Sequence, residues 1–108
     1  MPSDNKTRKQ LRTIGHHLNV IVIVSNGLKK NVTAEIDRAL TDHELIKIRI
    51  NADDREAKKE LVSSICSKLN AELIQMSGHV ALLFRANPEP KADLSNLVRH
   101  QNLLTGKS

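Results

Sequence analysis

The side chains with the most chemical potential are cationic, and they gather in three places. Ser25-Asn26-Gly27 closes a run of β-branched residues, Val20 to Val24, and Lys29 and Lys30 follow at once. A strand that ends in small polar residues and reopens as a helix presents backbone N–H groups to an anion, above all to a phosphate. Two lysines at a helix start oppose the helix dipole, a conflict relieved if an anion docks between them and the turn. The second group is Lys6, Arg8, Lys9, Arg12, His16 and His17, on the polar sides of an N-terminal helix whose only acid is Asp4. Lacking acidic i,i+4 partners, Lys9, Arg12 and His16 read as an extension of the same anion site. Lys47 and Arg49 form the third group. They alternate with Ile46, Ile48 and Ile50 and so lie on the polar side of a strand. Ordinary exposed sheet faces also carry such residues, so these two rank behind the turn.

Nothing comparable assembles for catalysis. His16, His17, His43, His79 and His100 form no HxxxH or HxH array with a carboxylate. Adjacent histidines on a helix point to different sides, so His16-His17 is poor ligand spacing. There is no GxSxG elbow, no P-loop and no Cys-x-His arrangement. The chain therefore reads as a non-enzyme, with no metal and no cofactor expected. Cys66 is the single cysteine, so neither a disulfide framework nor a CxxC pair exists. It lies on the apolar side of a helical pattern and reads as a buried, inert thiol.

These groups must be positioned by 108 residues, 39% of them hydrophobic and 27% charged, which suits one domain with a single core. A formal charge of +5 directs such a domain toward polyanions, nucleic acid foremost. With one Phe and neither Tyr nor Trp, bases cannot be stacked on aromatic rings. Binding should run through backbone phosphates and shape, and should be strongly salt-dependent. No transmembrane run and no signal-peptide h-region is visible, so a cytoplasmic location, away from membranes, is expected.

Along the chain, Ser3 to Leu18 reads as a helix, capped by Ser3 and striped by Leu11, Ile14 and Leu18. Gly15 either weakens its last turn or permits close packing. Val20 to Val24 is apolar throughout, as for a strand buried on both faces or nearly so. Leu28, Val32, Ile36 and Leu40 mark one helical face, and Thr41 to Glu44 reads as a polar break. Leu45 to Ile50 is an alternating strand. Asp53 is the expected cap of the next helix, with Glu56 in the capping-box position. That helix runs to Leu69, with Ala57, Leu61, Ile65 and Leu69 in line. Glu72 to Ser77 and Val80 to Arg85 form a hairpin about Gly78-His79, with positive φ at Gly78. The order is α-β-α-β-α-β-β: a compact α/β domain with a four-stranded mixed sheet, its second and third helices on one face. Residues 1–86 form this domain. Residues 87–108 are a polar tail, flexible or a short helix, whose Leu94 to Leu104 offers an alternative role in docking a protein partner.

In this frame several stretches resemble a known family: Gly15-His16-His17-Leu18, Asn26-Gly27-Leu28, Ala34-Glu35-Ile36-Asp37-x-Ala39-Leu40, His43-Glu44-Leu45-Ile46-Lys47-Ile48, Asp54-Arg55-Glu56 and Gly78-x-x-x-Leu82-Leu83-Phe84-Arg85. From Ser3 to Arg85 the chain is similar to the YhbY-like proteins, the stand-alone form of the chloroplast RNA splicing and ribosome maturation (CRM) domain. The resemblance implies a fold similar to the C-terminal domain of bacterial translation initiation factor three. It also implies RNA binding, with ribosomal RNA in precursors of the large subunit as the partner and a Gly-x-x-Gly loop among the contacts. Val24-Ser25-Asn26-Gly27 stands at that loop, with valine in place of the first glycine. A monomer is the expected state. The candidate RNA-binding residues are thus Ser25, Asn26, Gly27, Lys29, Lys30, Lys9, Arg12 and His16, with Lys47 and Arg49 behind them.

Overall fold

The computed structural model describes residues 5–25 and 29–100, without the side chain of Asn5. The expected cap Ser3, the expected turn residues Asn26 and Gly27, Leu28 of the expected helical face, and the tail beyond His100 lie outside the described residues. The elements are α1 (Asn5–Gly15), β1 (Val20–Ser25), α2 (Lys30–His43), β2 (Leu45–Asn51), α3 (Arg55–Leu69), β3 (Glu72–Ser77), β4 (Val80–Phe84) and α4 (Asn96–Arg99). The strands form one mixed sheet in the order β1-β2-β4-β3. β1 runs parallel to β2, and β4 lies antiparallel between β2 and β3. The hairpin turns at Gly78, whose φ of +60° suits glycine.

The two faces of the sheet are covered differently. Ile36 and Leu40 of α2 and Val62 and Ile65 of α3 meet Val22, Val24, Ile46, Ile48, Ile50, Ala81 and Leu83 in the larger core, so both crossover helices do share a face. Each fully buried Ile or Leu contributes roughly 1.5–3 kcal/mol. On the opposite face α1 packs Leu11 and Ile14 against Leu45, Ile74 and Leu82, with Leu97 of α4 alongside. Gly15 serves close packing: a Cβ there would stand 2.6 Å from a Leu82 methyl. The Arg8 guanidinium ties α1 down, meeting a Glu72 carboxylate oxygen at 2.5 Å and the Leu73 carbonyl at 3.0 Å.

Several local expectations need correction. β1 is not buried on both faces: as the edge strand it hides Val22 and Val24 but leaves Ile21 45% and Ile23 58% exposed. An unbroken apolar run cannot say which side will lack a cover. α2 runs through the supposed polar break to His43, and the chain turns at Glu44, a non-glycine residue with φ of +62°. The cap of α3 is Asp54, one residue later than expected; its carboxylate accepts from Ala57 N at 2.7 Å. Glu56 therefore sits inside the first turn, not three residues after the cap, and no capping box forms.

Residues 86–100 return across the mouth of α2 as a strap. Glu44 is 5% exposed and anchors it. One carboxylate oxygen accepts from the Ser95 hydroxyl at 2.9 Å, the other from the Asn87 N–H at 3.2 Å. His43 Nδ1 donates to the Leu94 carbonyl at 2.8 Å, and the Asn96 amide donates to the Leu45 carbonyl at 2.6 Å. Lys91 pairs with Asp42 at the rim, and its hydrogen bond holds the Asp42 carboxyl below the usual carboxylate range.

Candidate nucleic-acid interface

The face that α1 and the strap leave open lies over the middle and carboxyl ends of β1 and β2. Alternation along β2 sends Ile46, Ile48 and Ile50 into the larger core and Lys47, Arg49 and Asn51 outward. Register places Ile23 beside Arg49 and Ser25 beside Asn51 across the parallel pair. On the other side Lys47 lies opposite Leu82 and Arg49 opposite Val80. The open face is therefore a strip of isoleucine, arginine, lysine and short polar side chains.

Two of the sequence-nominated groups are linked here. Asn51 donates through Nδ2 to the Ser25 hydroxyl at 3.2 Å and accepts from Arg49 Nε at 3.4 Å. This short chain leads from the sheet face to the end of β1. His16 and Lys47 also come together, lining one cleft of about 280 Å³ with Gln75, Ser77 and Val80. Arg12 is half-buried on the helical line between Arg8, which reaches β3, and His16, in this cleft. Lys9 is exposed on α1 and lines neither this cleft nor the Ser25–Asn51–Arg49 chain.

The two lysines after the turn part company. Lys29 is the N-cap residue of α2, with extended backbone and no side-chain capping bond. Lys30 lines a groove between α2 and α3 with Thr33, Asp37 and Lys68, on the helical side of the sheet and away from Lys47. Lys30 thus does not share the open face with Lys47 and Arg49. Val24 is fully buried against the larger core and pairs with Ile50. The tetrad that begins with it starts inside the strand, so a glycine there would remove core packing.

The sequence reading missed Asn51, Gln75 and Ser77. Carrying the β2 alternation one step past Arg49 reaches Asn51, and the hairpin's own alternation reaches the other two. Arg8, which the sequence groups with the surface cations of α1, is instead held by partners more than sixty residues away in sequence. Cys66 is half-buried, and burial, reinforced by nearby Glu72, pushes its thiol pKa up. Such a thiol is a poor nucleophile near neutral pH. Among the described residues no group of three or more His, Cys, Asp or Glu side chains could hold a metal. No helix among them is long and apolar enough to cross a membrane.

Comparison with known proteins assigns the frame. Residues 4–85 match the CRS1 / YhbY (CRM) domain, and the chain belongs to that family. A protein of Pseudomonas aeruginosa named "Probable RNA-binding protein" is 40% identical over 100 residues, covering 92% of this chain and 96% of its own. One of Haemophilus influenzae named "RNA-binding protein" is 39% identical over 90 residues, covering 82% of this chain and 91% of its own. The solution structure of a hypothetical protein from Staphylococcus aureus superposes with a TM-score of 0.72 at 27% identity, over 87% of this chain and 98% of that one. The match ends at Arg85, the residue after β4. Its guanidinium meets Asp37 at 2.7 Å, Thr41 Oγ1 at 2.8 Å and the Leu69 carbonyl at 3.0 Å, clamping α2 to the end of α3. The resemblance seen at Asp37 and Arg85 thus reflects architecture.

Proposed function

We propose that this chain is a non-catalytic RNA-binding protein that holds ribosomal RNA in cytoplasmic precursors of the large ribosomal subunit. The observation that carries this reading is the open sheet face, where among the described residues Lys47 makes no ion pair and Arg49 meets only an amide neighbour. By contrast, the guanidinium groups of Arg8 and Arg85 are engaged by carboxylates and carbonyls. Unpaired cations on a face flanked by His16, Ser25 and Asn51 suit a phosphodiester backbone laid across the sheet. Exposed Ile21 and Ile23 give that face an apolar margin on which ribose or base surface can rest without aromatic stacking. The names of the relatives from Pseudomonas and Haemophilus point the same way.

The test is a filter-binding titration of a large-subunit ribosomal RNA fragment at low salt. Lys47→Glu combined with Arg49→Glu should weaken binding by about tenfold or more and flatten its salt dependence. Stability should stay within about 0.5 kcal/mol of wild type, because both substitutions are on a surface. Unchanged affinity would remove the open face from the reading. Lys29→Glu with Lys30→Glu, measured in parallel, weighs the turn against the sheet. In-cell crosslinking that recovers messenger rather than ribosomal RNA would refute the ribosomal assignment.

A further inference from the structure

A second cleft lies on the other side of Lys47, and part of its wall comes from outside the matched domain. It has a volume of about 250 Å³. α1 contributes its exit through His17, α2 contributes His43, β2 contributes Lys47, and the strap contributes Asn96, Arg99 and His100. The turn after α1 thus sends His16 into one cleft and His17 into the other, with Lys47 common to both.

The full charges of the lining have one sign. Lys47 and Arg99 bring two full cations and three imidazoles join them, while no carboxylate is among the described lining residues. Arg99 is exposed and makes no ion pair with a described residue. The imidazoles are held in place. His43 Nδ1 donates to the Leu94 carbonyl and His100 Nδ1 to the Asn96 carbonyl, each at 2.8 Å. Each bond uses Nδ1–H as donor and orients the ring, so that Nε2 can donate to an anion when the ring carries its second proton. The His100 ring also stacks against His17, with centroids 6.3 Å apart and planes 25° from parallel. Placing two full cations around one hollow with no carboxylate among the described lining residues is unfavourable for the empty protein and is relieved by a bound anion.

We infer that this strap-completed cleft is a phosphate-binding site, and that it seats a backbone phosphate of the RNA whose path crosses the open sheet face at Lys47. The RNA part rests on the function proposed above; the phosphate part rests on the lining alone. Lys47 would then stand between two phosphate positions, one in each cleft. Arg99 supplies the fork that can grip phosphate oxygens in pairs.

Two measurements on the full chain test this. In the first, the imidazole signals of His17, His43 and His100 are followed by NMR during titration with inorganic phosphate. They should move saturably in wild type and lose most of that response in Arg99→Gln. In the second, binding of the ribosomal RNA fragment should weaken in Arg99→Gln about three- to tenfold, and the slope of log affinity against log salt should fall by about 1. His17→Gln, in the segment after α1, should weaken it in the same direction. Because His17 also stacks on His100, amide protection of residues 91–95 is measured in both variants and should match wild type, which separates loss of the site from loosening of the strap. Imidazole signals that ignore phosphate in wild type overturn the site. RNA binding that depends on Lys47 and Arg49 yet ignores Arg99 and His17 overturns its role in RNA recognition while the proposed function stands. A phosphate response in a chain that binds no RNA overturns the proposed function and, with it, the RNA assignment of this cleft.

Discussion

One strand, β2, carries two regions of opposite character. At its entrance, Glu44 and Leu45 are buried, and the polar groups around them are matched by Ser95, Asn87, Leu94 and Asn96 across about fifty residues of sequence. Three to five residues further on, Lys47 and Arg49 face outward, and among the described residues neither makes an ion pair. The first region is polar for architecture, and the second, on the function proposed above, is polar for a ligand. What separates them is satisfaction. A polar group whose partners are internal stabilises the fold, whereas one left unpartnered on an open face gains by meeting another molecule.

The largest expected effect that would sharpen this contrast is at Glu44. Glu44→Ala should cost about 2–4 kcal/mol in urea unfolding, since it strands the buried Ser95 hydroxyl and leaves a left-handed backbone position without its anchor. RNA affinity per folded molecule should fall only by the share the strap contributes. A loss below about 1 kcal/mol would mean the entrance is no better satisfied than the open face. Next comes Gly15→Ala, which pushes a methyl into Leu82 beneath α1 and should cost about 1–2 kcal/mol. Combining it with Leu82→Val should recover part of that, and no recovery would place the strain elsewhere. The smallest effect concerns the rim. Asp42 has its folded-state pKa depressed, chiefly by its hydrogen bond to Lys91, so its contribution exists at neutral pH and is lost as pH falls through that lowered value. Amide protection in residues 91–95, taken relative to the intrinsic exchange rate at each pH, should fall as pH drops below the ordinary carboxylate range in wild type, and Asp42→Asn should show that loss already at neutral pH.

The sequence shows most clearly what depends on neighbours in the chain. The stripes of α2 and α3, the alternation of β2 and the glycine of the hairpin all report local periodicity or a local φ, and each is present in the fold. What it hides is non-local. The exposed side of β1 follows from the strand order β1-β2-β4-β3, which makes β1 an edge, and a run of five apolar residues looks the same in either position. Arg8 and Arg85 look like surface cations until Glu72 and Asp37 arrive from distant segments. The strap's polar residues read as tail because their partners lie on α2 and β2, more than forty residues back. For the candidate site, Lys47, Arg49, Ser25 and His16 could be named in advance. Their ranking could not, since only the folded sheet shows that Lys47 sits where two clefts meet while Lys30 turns to the other side.

The exposed isoleucines of β1 carry a consequence for handling the protein. An edge strand with free backbone groups and outward Ile21 and Ile23 is a template for another strand. What opposes self-pairing is the net charge of +5 and the cations of the adjoining strand, which make two copies repel. Molar salt shrinks the reach of that repulsion to about 3 Å. High salt, the usual means of stripping nucleic acid from a basic protein, therefore removes its electrostatic guard against aggregation at the same moment.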